Sequence, residues 1–568
     1  MAGIGLLSGW VALASLIFLY VANFNPPLPY SPDLALRYLP YLGESAILQI
    51  DLAIAFGLPL IAVVSLVYQT GLWHRRPALY GRTRFGTLRD GLATGLRYCR
   101  RPDPDGLVLG KASWLGGLIQ RYVCMVGTEH VLLFAKTRAG KGISYAIPNA
   151  MLFQGSLVVL DVKGENFQAT AGHRAKRLRQ EVFCFAPLAE FSHRWNPLSG
   201  ITVDEPNYIS RLQRRAFDLF PEVTGRERFW QDGARSAFLG IATLVAETPE
   251  LELNPATVFR FFTRGDSVEE LSRMVEQRRA VGRPYSQICI DLISDYLSGT
   301  EEVVKGVRKH VTSTLGLWFN PKIAAVTASS DFDLHDLRRK RMTVYVVVPP
   351  SEIGQLGTML RLLFNQLFEA NTDVLPEADR TIRHRCHVLL DEFTSIPPMK
   401  AFAKATGFAA GYGLQFSFVV QSKNQVREEY KGQGEASLLE NVGAEIIFGT
   451  NDPVLCKEAS ERSGYDTVMA STHSAPTFGR FFRVKQHSEN THEHRRALLF
   501  PQDVARMPAH QELLFRLNAP VFKLNKLRWF KDPAFRHLEM RPPELPQVSY
   551  SLAEDDGSVK ITAPKSRH

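Results

Sequence analysis

Lys141 stands where chemistry on a phosphate chain would need a lysine. It follows Thr137-Arg138-Ala139-Gly140 and precedes Gly142-Ile143. The residues before this segment, Glu129 to Ala135, read as a buried strand, and those from about Ile143 read as an apolar helix. A strand, a loop of small residues and a helix N-terminus together bring backbone N–H groups to phosphate oxygens, and a lysine in the loop reaches the β and γ oxygens. The candidate nucleotide-binding residues are therefore Thr137, Arg138, Ala139, Gly140, Lys141, Gly142 and Ile143. Two positions depart from G-x-x-x-x-G-K-[ST]: Ala135 replaces the first glycine, and Gly142 replaces the hydroxyl that would hold magnesium. Taken alone, the segment also reads as a basic turn before an ordinary helix.

A second segment favours the phosphate reading. The apolar strand His387 to Leu390 ends in Asp391-Glu392. Consecutive side chains at a strand end diverge. One carboxylate, Asp391, can then hold magnesium through water while the other, Glu392, polarises the attacking water. A third strand, Phe416 to Val420, ends in Gln421-Ser422, where Gln421 is placed to sense the γ-phosphate or orient water; a polar cap on a core strand fits equally well. The catalytic candidates are thus Lys141, Glu392 and Gln421, with Asp391 as the metal residue. Asp161 ends another strand, Leu157 to Leu160, without an adjacent acid, and is assigned to the same cleft with no catalytic role. His473, His487, His492 and His494 lack a compact ligand spacing and suggest no metal site.

These side chains need a common scaffold. Further apolar strands occur at Thr343 to Val348 and Glu445 to Phe448, and Leu356 to Phe368 repeats apolar residues at helical spacing. Near-continuous apolar strands alternating with helices imply an α/β fold with a mostly parallel, doubly covered sheet, whose ligands bind at strand C-termini. From about Ile201 to Ser330 the strand pattern stops, and Tyr208 to Phe220 and Trp230 to Glu247 are helical.

The chain has 568 residues, enough for two or three domains. With 45% hydrophobic and 22% charged residues and a mean hydropathy of −0.10, a disordered chain, a collagen-like fibre and a polytopic transporter are excluded. A formal charge of +10 permits nucleic acid or anionic lipid as partner without demanding either. The 6 cysteines are scattered, which argues against a zinc site or a secreted disulfide scaffold and for a reducing compartment. Gly3 to Ala22 and Ala46 to Tyr68 are each apolar enough to span a bilayer. The first lacks the basic start and A-x-A end of a signal peptide. Arginines from Arg75 to Arg101, opposed only by Asp90, follow the second run and place the rest of the chain in the cytoplasm.

With these segments in order, the chain resembles the coupling-protein ATPases of type IV secretion systems, the TraG/VirD family of conjugation. The likeness rests on the two N-terminal runs, Thr137 to Gly142, Val159 to Asn166, Arg194-Trp195-Asn196-Pro197-Leu198, Phe229-Trp230-Gln231-Asp232, Leu390 to Phe393, Gln421-Ser422 and Phe448 to Asp452. The resemblance implies a RecA-like P-loop NTPase domain with an inserted all-α domain, preceded by an N-terminal two-helix transmembrane anchor. It also implies ATP and Mg2+ as cofactors and a homo-hexamer around a channel at the bacterial inner membrane. Single-stranded DNA with a relaxase, or protein effectors, would be received and passed to the inner-membrane components of the secretion channel. The expected division is 1–72 transmembrane hairpin, 73–104 basic juxtamembrane segment, 105–200 and 336–545 nucleotide-binding domain, 201–335 all-α domain and 546–568 flexible tail. Arg211, Arg214, Arg215, Arg226 and Arg228 in the all-α interval read either as facing DNA or a relaxase, or as a solvated helix face. The family needs a cation from a neighbouring subunit, for which Lys404, Arg427, Arg495 and Arg496 are the candidates. Two rival readings are a chromosome-partitioning DNA translocase and a nucleotide-binding membrane receptor without turnover. The first would carry more spans and a winged-helix reader, and Glu392 argues against the second.

Overall fold

The apolar runs that precede Lys141, Asp161, Asp391 and Gln421 are neighbouring strands of one sheet in the computed structural model, which describes residues 2–23, 28–69, 83–114, 117–264, 267–398, 406–431, 435–473 and 489–550. In chain order the strands are β1 (Leu96–Cys99), β2 (Gly106–Trp114), β3 (Ile119–Val126), β4 (His130–Phe134), β5 (Ser156–Asp161), β6 (Glu181–Phe185), β7 (Met342–Val347), β8 (Cys386–Leu390), β9 (Leu414–Val420) and β10 (Val442–Ile447). A two-stranded hairpin of β11 (Tyr465–His473) and β12 (Glu489–Ala497) follows, then β13 (Gln511–Arg516) and β14 (Phe522–Asn525). The main sheet is 12-stranded, in the order β1-β3-β2-β14-β13-β10-β4-β9-β8-β5-β7-β6.

From β10 through β6 every neighbouring pair is parallel. β4, β5, β8 and β9 are buried along their whole length, because both faces of a parallel sheet are covered. Along β4 the side chains alternate between two cores: Leu132 and Phe134 join Leu360 and Phe364, while Val131 and Leu133 join Tyr145 and Ala150. The other half of the sheet, from β10 to β1, is an antiparallel wing, so the sheet is mixed rather than mostly parallel as expected. Several of its strands carry exposed or partly exposed polar residues, as at Gln120 and Arg121 of β3 and Lys523 of β14, which interrupts the continuous apolar signal of the central strands.

Between β6 and β7 the described residues form helices, from Tyr208–Leu219 to Pro321–Val326, with no strand among them. Helix Glu227–Ala246 runs at their centre, burying the small and apolar face of Ala234, Ala237, Phe238 and Ile241. Asn254 caps the next helix, accepting a hydrogen bond from the Thr257 amide at 2.8 Å. The helical segment shares one core with the sheet: Leu212 and Phe238 belong to the same cluster as Val344 and Leu390.

The chain divides into two compact units, Met1–Arg82 with Asp466–Arg495, and Thr83–Tyr465 with Arg496–His568. In the first unit, helices Ala2–Val21 and Ala46–Gln69 pack together, with Trp10 edge-on to Phe56 at 5.6 Å between ring centroids. Ser15 donates to the Pro32 carbonyl at 2.9 Å and accepts from the Ala35 amide at 3.0 Å, tying the connecting loop to the first helix. Among the described residues one helix, Ala46–Ser65, is long and apolar enough to cross a membrane. In the first helix the apolar stretch found among the described residues is Gly9–Val21, so of the two expected spans the second is the one that meets the length here.

Candidate nucleotide-binding site

At the C-terminal end of β4 the Ala135 amide donates to the Val420 carbonyl at 2.9 Å, and the chain then leaves the sheet. Arg138 (φ 64°) and Gly140 (φ 86°) both take the left-handed conformation. Gly140 adopts it freely, whereas at Arg138 it stores about 1 kcal/mol or more of backbone strain. Lys141 opens a π-helical turn, Gly142–Ala146, that runs into the α-helix Ile147–Leu152; the expected helix begins one residue before Ile143. Two buried contacts hold this helix to the sheet. The Tyr145 hydroxyl lies 2.7 Å from Ser417 Oγ on β9. Asn149 accepts from the Val108 amide at 2.7 Å and donates to the Val108 carbonyl at 3.0 Å on β2.

Lys141 reaches across to the end of β8. Its Nζ donates to the Asp391 carbonyl at 2.8 Å, forms an ion pair with the Glu392 carboxylate and lies 3.9 Å from Asp391 Oδ1. Gln421 Nε2 donates to Glu392 Oε1 at 2.8 Å. The backbone that carries these side chains is held from behind. Ser395 Oγ donates to the Glu392 carbonyl at 2.6 Å, and the buried Phe393 ring stacks on Tyr430 at 5.2 Å. Ser422 caps helix Lys423–Glu429, accepting from the Gln425 amide at 3.2 Å, which leaves Gln421 as the last residue out of β9.

Asp161 lies behind Asp391. Asn166 Nδ2 bridges the pair, 3.3 Å from Asp161 Oδ1 and 3.3 Å from Asp391 Oδ2, and the Phe167 amide donates to Asp161 Oδ2 at 2.8 Å. Burial pushes the Asp391 carboxyl up to about 7; the Lys141 ammonium opposes the shift and the Asp161 charge adds to it. Burial likewise raises Asp161. Asp391 Oδ1 is buried with no hydrogen-bond partner. A carboxylate oxygen left open toward the loop is the donor a magnesium ion held chiefly by phosphates and water would use. A Cβ built on Gly142 meets nothing within 4 Å, so the absent hydroxyl is a matter of residue choice and not of space. The residues present fit such an ion.

The family profile for the type IV secretory system, conjugative DNA transfer, matches residues 88–552, which contain every residue of this site. The chain belongs to this family. Protein VirD4 of Rhizobium rhizogenes is 30% identical over 517 residues, covering 87% of this chain and 72% of that protein. The conjugal transfer protein TraG of Escherichia coli is 25% identical over 84% of this chain and 80% of its own. The solved bacterial conjugative coupling protein TrwBdeltaN70, in its unbound monoclinic form, matches 81% of this chain and 96% of its own with a TM-score of 0.56 at 15% identity. TrwB in complex with ADP and Mg2+ matches with a TM-score of 0.54. The last two likenesses carry the fold alone: a large mixed sheet of RecA-like type with helices.

In this coupling protein of the TraG/VirD family, several contacts at the site join residues that local pattern does not connect. Lys526, just past β14, donates to the Ala139 carbonyl at 3.2 Å and stands 4.0 Å over the Phe448 ring. Lys136 donates to Asn451 Oδ1 at 3.3 Å. Lys423 is buried between Glu458, with which it pairs, and Glu445 at 3.8 Å, and Arg462 reaches Glu445 at 2.8 Å. Ala139, Phe448 and Asn451 fall in segments that the sequence singles out, Thr137 to Gly142 and Phe448 to Asp452, whereas Lys526, Lys423, Glu458 and Arg462 carry no local signal. The arginines of the helical segment are mostly spoken for: Arg211 pairs with Glu205, Arg214 with Glu369, Arg215 with Asp218 and Glu369, and Arg228 with Asp232. Arg226 precedes helix Glu227–Ala246. Of the cations considered for a neighbouring subunit's site, Arg427 is exposed on helix Lys423–Glu429, Arg495 and Arg496 lie on β12, and Lys404 falls outside the described residues. His487 lies outside them too; among the described residues no group of histidine, cysteine and acidic side chains is arranged to hold a metal.

Proposed function

We propose that this chain is an ATP-hydrolysing coupling protein, anchored in the bacterial inner membrane by two N-terminal spans and assembled as a homo-hexamer. It receives a relaxase with single-stranded DNA, or a protein effector, and delivers it to the inner-membrane components of a type IV secretion channel. The observation that carries the enzymatic part is the convergence of Lys141, Glu392 and Gln421 from the ends of β4, β8 and β9. A lysine, a carboxylate and an amide within hydrogen-bond reach of one another are what phosphoryl transfer to water requires.

In this reading the β and γ phosphates draw Lys141 away from Glu392, and the loop from Thr137 to Ile143 wraps them. Glu392, released from the ammonium and still held by Gln421 at 2.8 Å, accepts the proton of the attacking water. Asp391 Oδ1 is the protein's contribution to magnesium, which when bound neutralises charge on the β and γ oxygens. TrwB is described in complex with the ATP analogue ADPNP and with ADP and Mg2+, which supports the same ligands here. The division into a nucleotide-binding domain of residues 105–200 and 336–545 with a helical insertion at 201–335 follows the strand-free interval between β6 and β7.

The test is phosphate release by the full chain in detergent micelles, with and without oligo-dT. Turnover that rises with DNA is the expected result. Tight ATP binding without turnover in either condition would overturn the motor reading and leave that of a receptor.

A further inference from the structure

The opposite end of the parallel strands carries a second cluster of charge, and there it is basic. Arg341 precedes β7, Gly155 precedes β5, and Arg383, His384 and Arg385 precede β8; these three strands are adjacent in the sheet. The entry residues line a cavity of about 470 Å³, in which Asp105 is the acidic side chain present. Its floor is rigid. Arg385 donates to the Gly127 carbonyl at 2.6 Å and to the Asp105 carbonyl, so the guanidinium is held by backbone and keeps its charge uncancelled. A Cβ on Gly155 would lie 2.5 Å from the Arg385 carbonyl, so glycine is needed for the two loops to meet.

Beneath the floor sits Arg174, 0% exposed. It donates to the carbonyls of Ala150 (2.6 Å), Phe153 (2.8 Å) and Gly155 (2.8 Å), to Thr343 Oγ1 and to Gln180 Oε1, with no carboxylate among these partners. Burial lowers its pKa to about 10, which leaves it charged at neutral pH. A buried cation without a counter-ion projects its field toward the nearest opening, because the surrounding protein screens it poorly. Above it, Arg341 and Arg383 are exposed on the rim; no described residue pairs with Arg341, and Arg383 reaches only the Arg380 carbonyl at 3.3 Å.

We propose that this pocket binds the phosphodiester backbone of single-stranded DNA, with Arg341 and Arg383 making the direct contacts and Arg385 and Arg174 supplying fixed positive potential. It is a phosphate site distinct from the nucleotide site, separated from it by the length of β5 and β8. The lining offers no exposed aromatic ring on which a base would stack, so contact is to the backbone and independent of sequence. Pro104 is its exposed apolar side chain, beside the exposed Arg341 and Arg383, so the lining is mainly cationic and polar and offers little surface to acyl chains. The inference takes from the proposed function only that the chain handles single-stranded DNA.

The experiment measures binding of fluorescent oligo-dT to the full chain in detergent micelles over a range of salt, for wild type and for Arg341→Glu/Arg383→Glu. The double variant is expected to bind at least ~10-fold more weakly and to lose about 1.4 from the salt slope, two phosphate contacts at roughly 0.7 each. A melting temperature matching wild type shows the fold retained, and Arg341→Gln/Arg383→Gln replaces the pair if charge reversal lowers it. Wild-type affinity and slope in a folded variant overturn the pocket and leave DNA handling intact. A wild-type chain that binds no oligo-dT overturns both. Loss of binding to phosphatidylglycerol vesicles with oligo-dT binding unchanged makes the pocket a membrane contact and overturns the proposal.

Discussion

Replacing Glu392 with glutamine should move nucleotide binding and turnover in opposite directions. Without nucleotide, Lys141 is committed to Glu392 and to the Asp391 carbonyl, so phosphate must displace the carboxylate before it can use the lysine. The pair is about four-fifths covered, with side-chain exposures of 23% and 21%, and its free energy lies between that of a surface pair and that of a charged hydrogen bond, about 1–2 kcal/mol. Glutamine removes the charge and retains the shape, so this competition disappears. Affinity for an ATP analogue should tighten by ~5- to 30-fold, since each 1.4 kcal/mol is tenfold. Hydrolysis should fall by ~10² or more, because the amide accepts no proton from water. Titration of a fluorescent ATP analogue measures the first quantity and phosphate release the second. Binding that weakens in step with the rate would refute the reasoning, since it would make Glu392 a residue that holds nucleotide and not one that restrains the lysine.

Lys141→Ala should abolish turnover and weaken ATP-analogue binding by ~10² or more, because the charge-assisted contacts that the lysine would make to the β and γ oxygens are lost, with the melting temperature checked alongside. Arg174→Met leaves the carbonyls of Ala150, Phe153 and Gly155 without their buried donor and should destabilise the chain by at least about 3 kcal/mol, read from the shift in denaturation midpoint. Glu512 is wholly buried on β13, and burial holds its carboxyl up at about 8, against 4.5 in the unfolded chain. The folded chain therefore keeps a proton that the unfolded chain has lost, stability falls as pH rises from 4.5 toward 8, and Glu512→Gln should flatten that part of a melting-temperature profile. Gly142→Ser should leave the melting temperature unchanged, because its Cβ has open space, and should lower the magnesium concentration needed for half-maximal nucleotide binding.

The parts of the fold read from sequence were those in which one strand carries the whole signal. β4, β5, β8 and β9 are buried from end to end and mostly apolar because helices cover both faces, and each runs into residues of the site: the loop before Lys141, Asp161, Asp391-Glu392, Gln421. The antiparallel wing gave no comparable signal. β1 is four residues, Leu96–Cys99, with Arg97 exposed within it, and β14 carries exposed Lys523 between Phe522 and Leu524. Such strands exist because partners are supplied from far along the chain, β14 meeting β2 at Asn525 and Lys111. The same non-locality hid Lys526, 387 residues from the carbonyl it holds, and the acid that answers Arg214 and Arg215, Glu369 on another helix.

Charge along the parallel strands supplies a reason for the two ends to be read together. β8 is preceded by Arg385, pinned to backbone carbonyls, and followed by Asp391-Glu392, pinned to Lys141 and Gln421. Between them lie Cys386 to Leu390, wholly buried, about 17 Å of extended chain. His387 at its middle lies 2.9 Å from Ser417 Oγ, which also meets Tyr145 of the helix that follows the phosphate loop. Burial drives the imidazole down to about 3, so it is neutral and its contact carries no charge that pH would alter. A close-packed interior of this kind is poorly compressible and transmits strain. An exchange of Lys141 from Glu392 to phosphate alters the restraint on one end of β8, and the other end of that strand is the floor of the arginine pocket. The acids at the C-terminal ends suit a metal-bound nucleotide and the arginines at the N-terminal ends suit a polyanion, so on the proposed reading nucleotide and DNA, both phosphates, do not compete for one site.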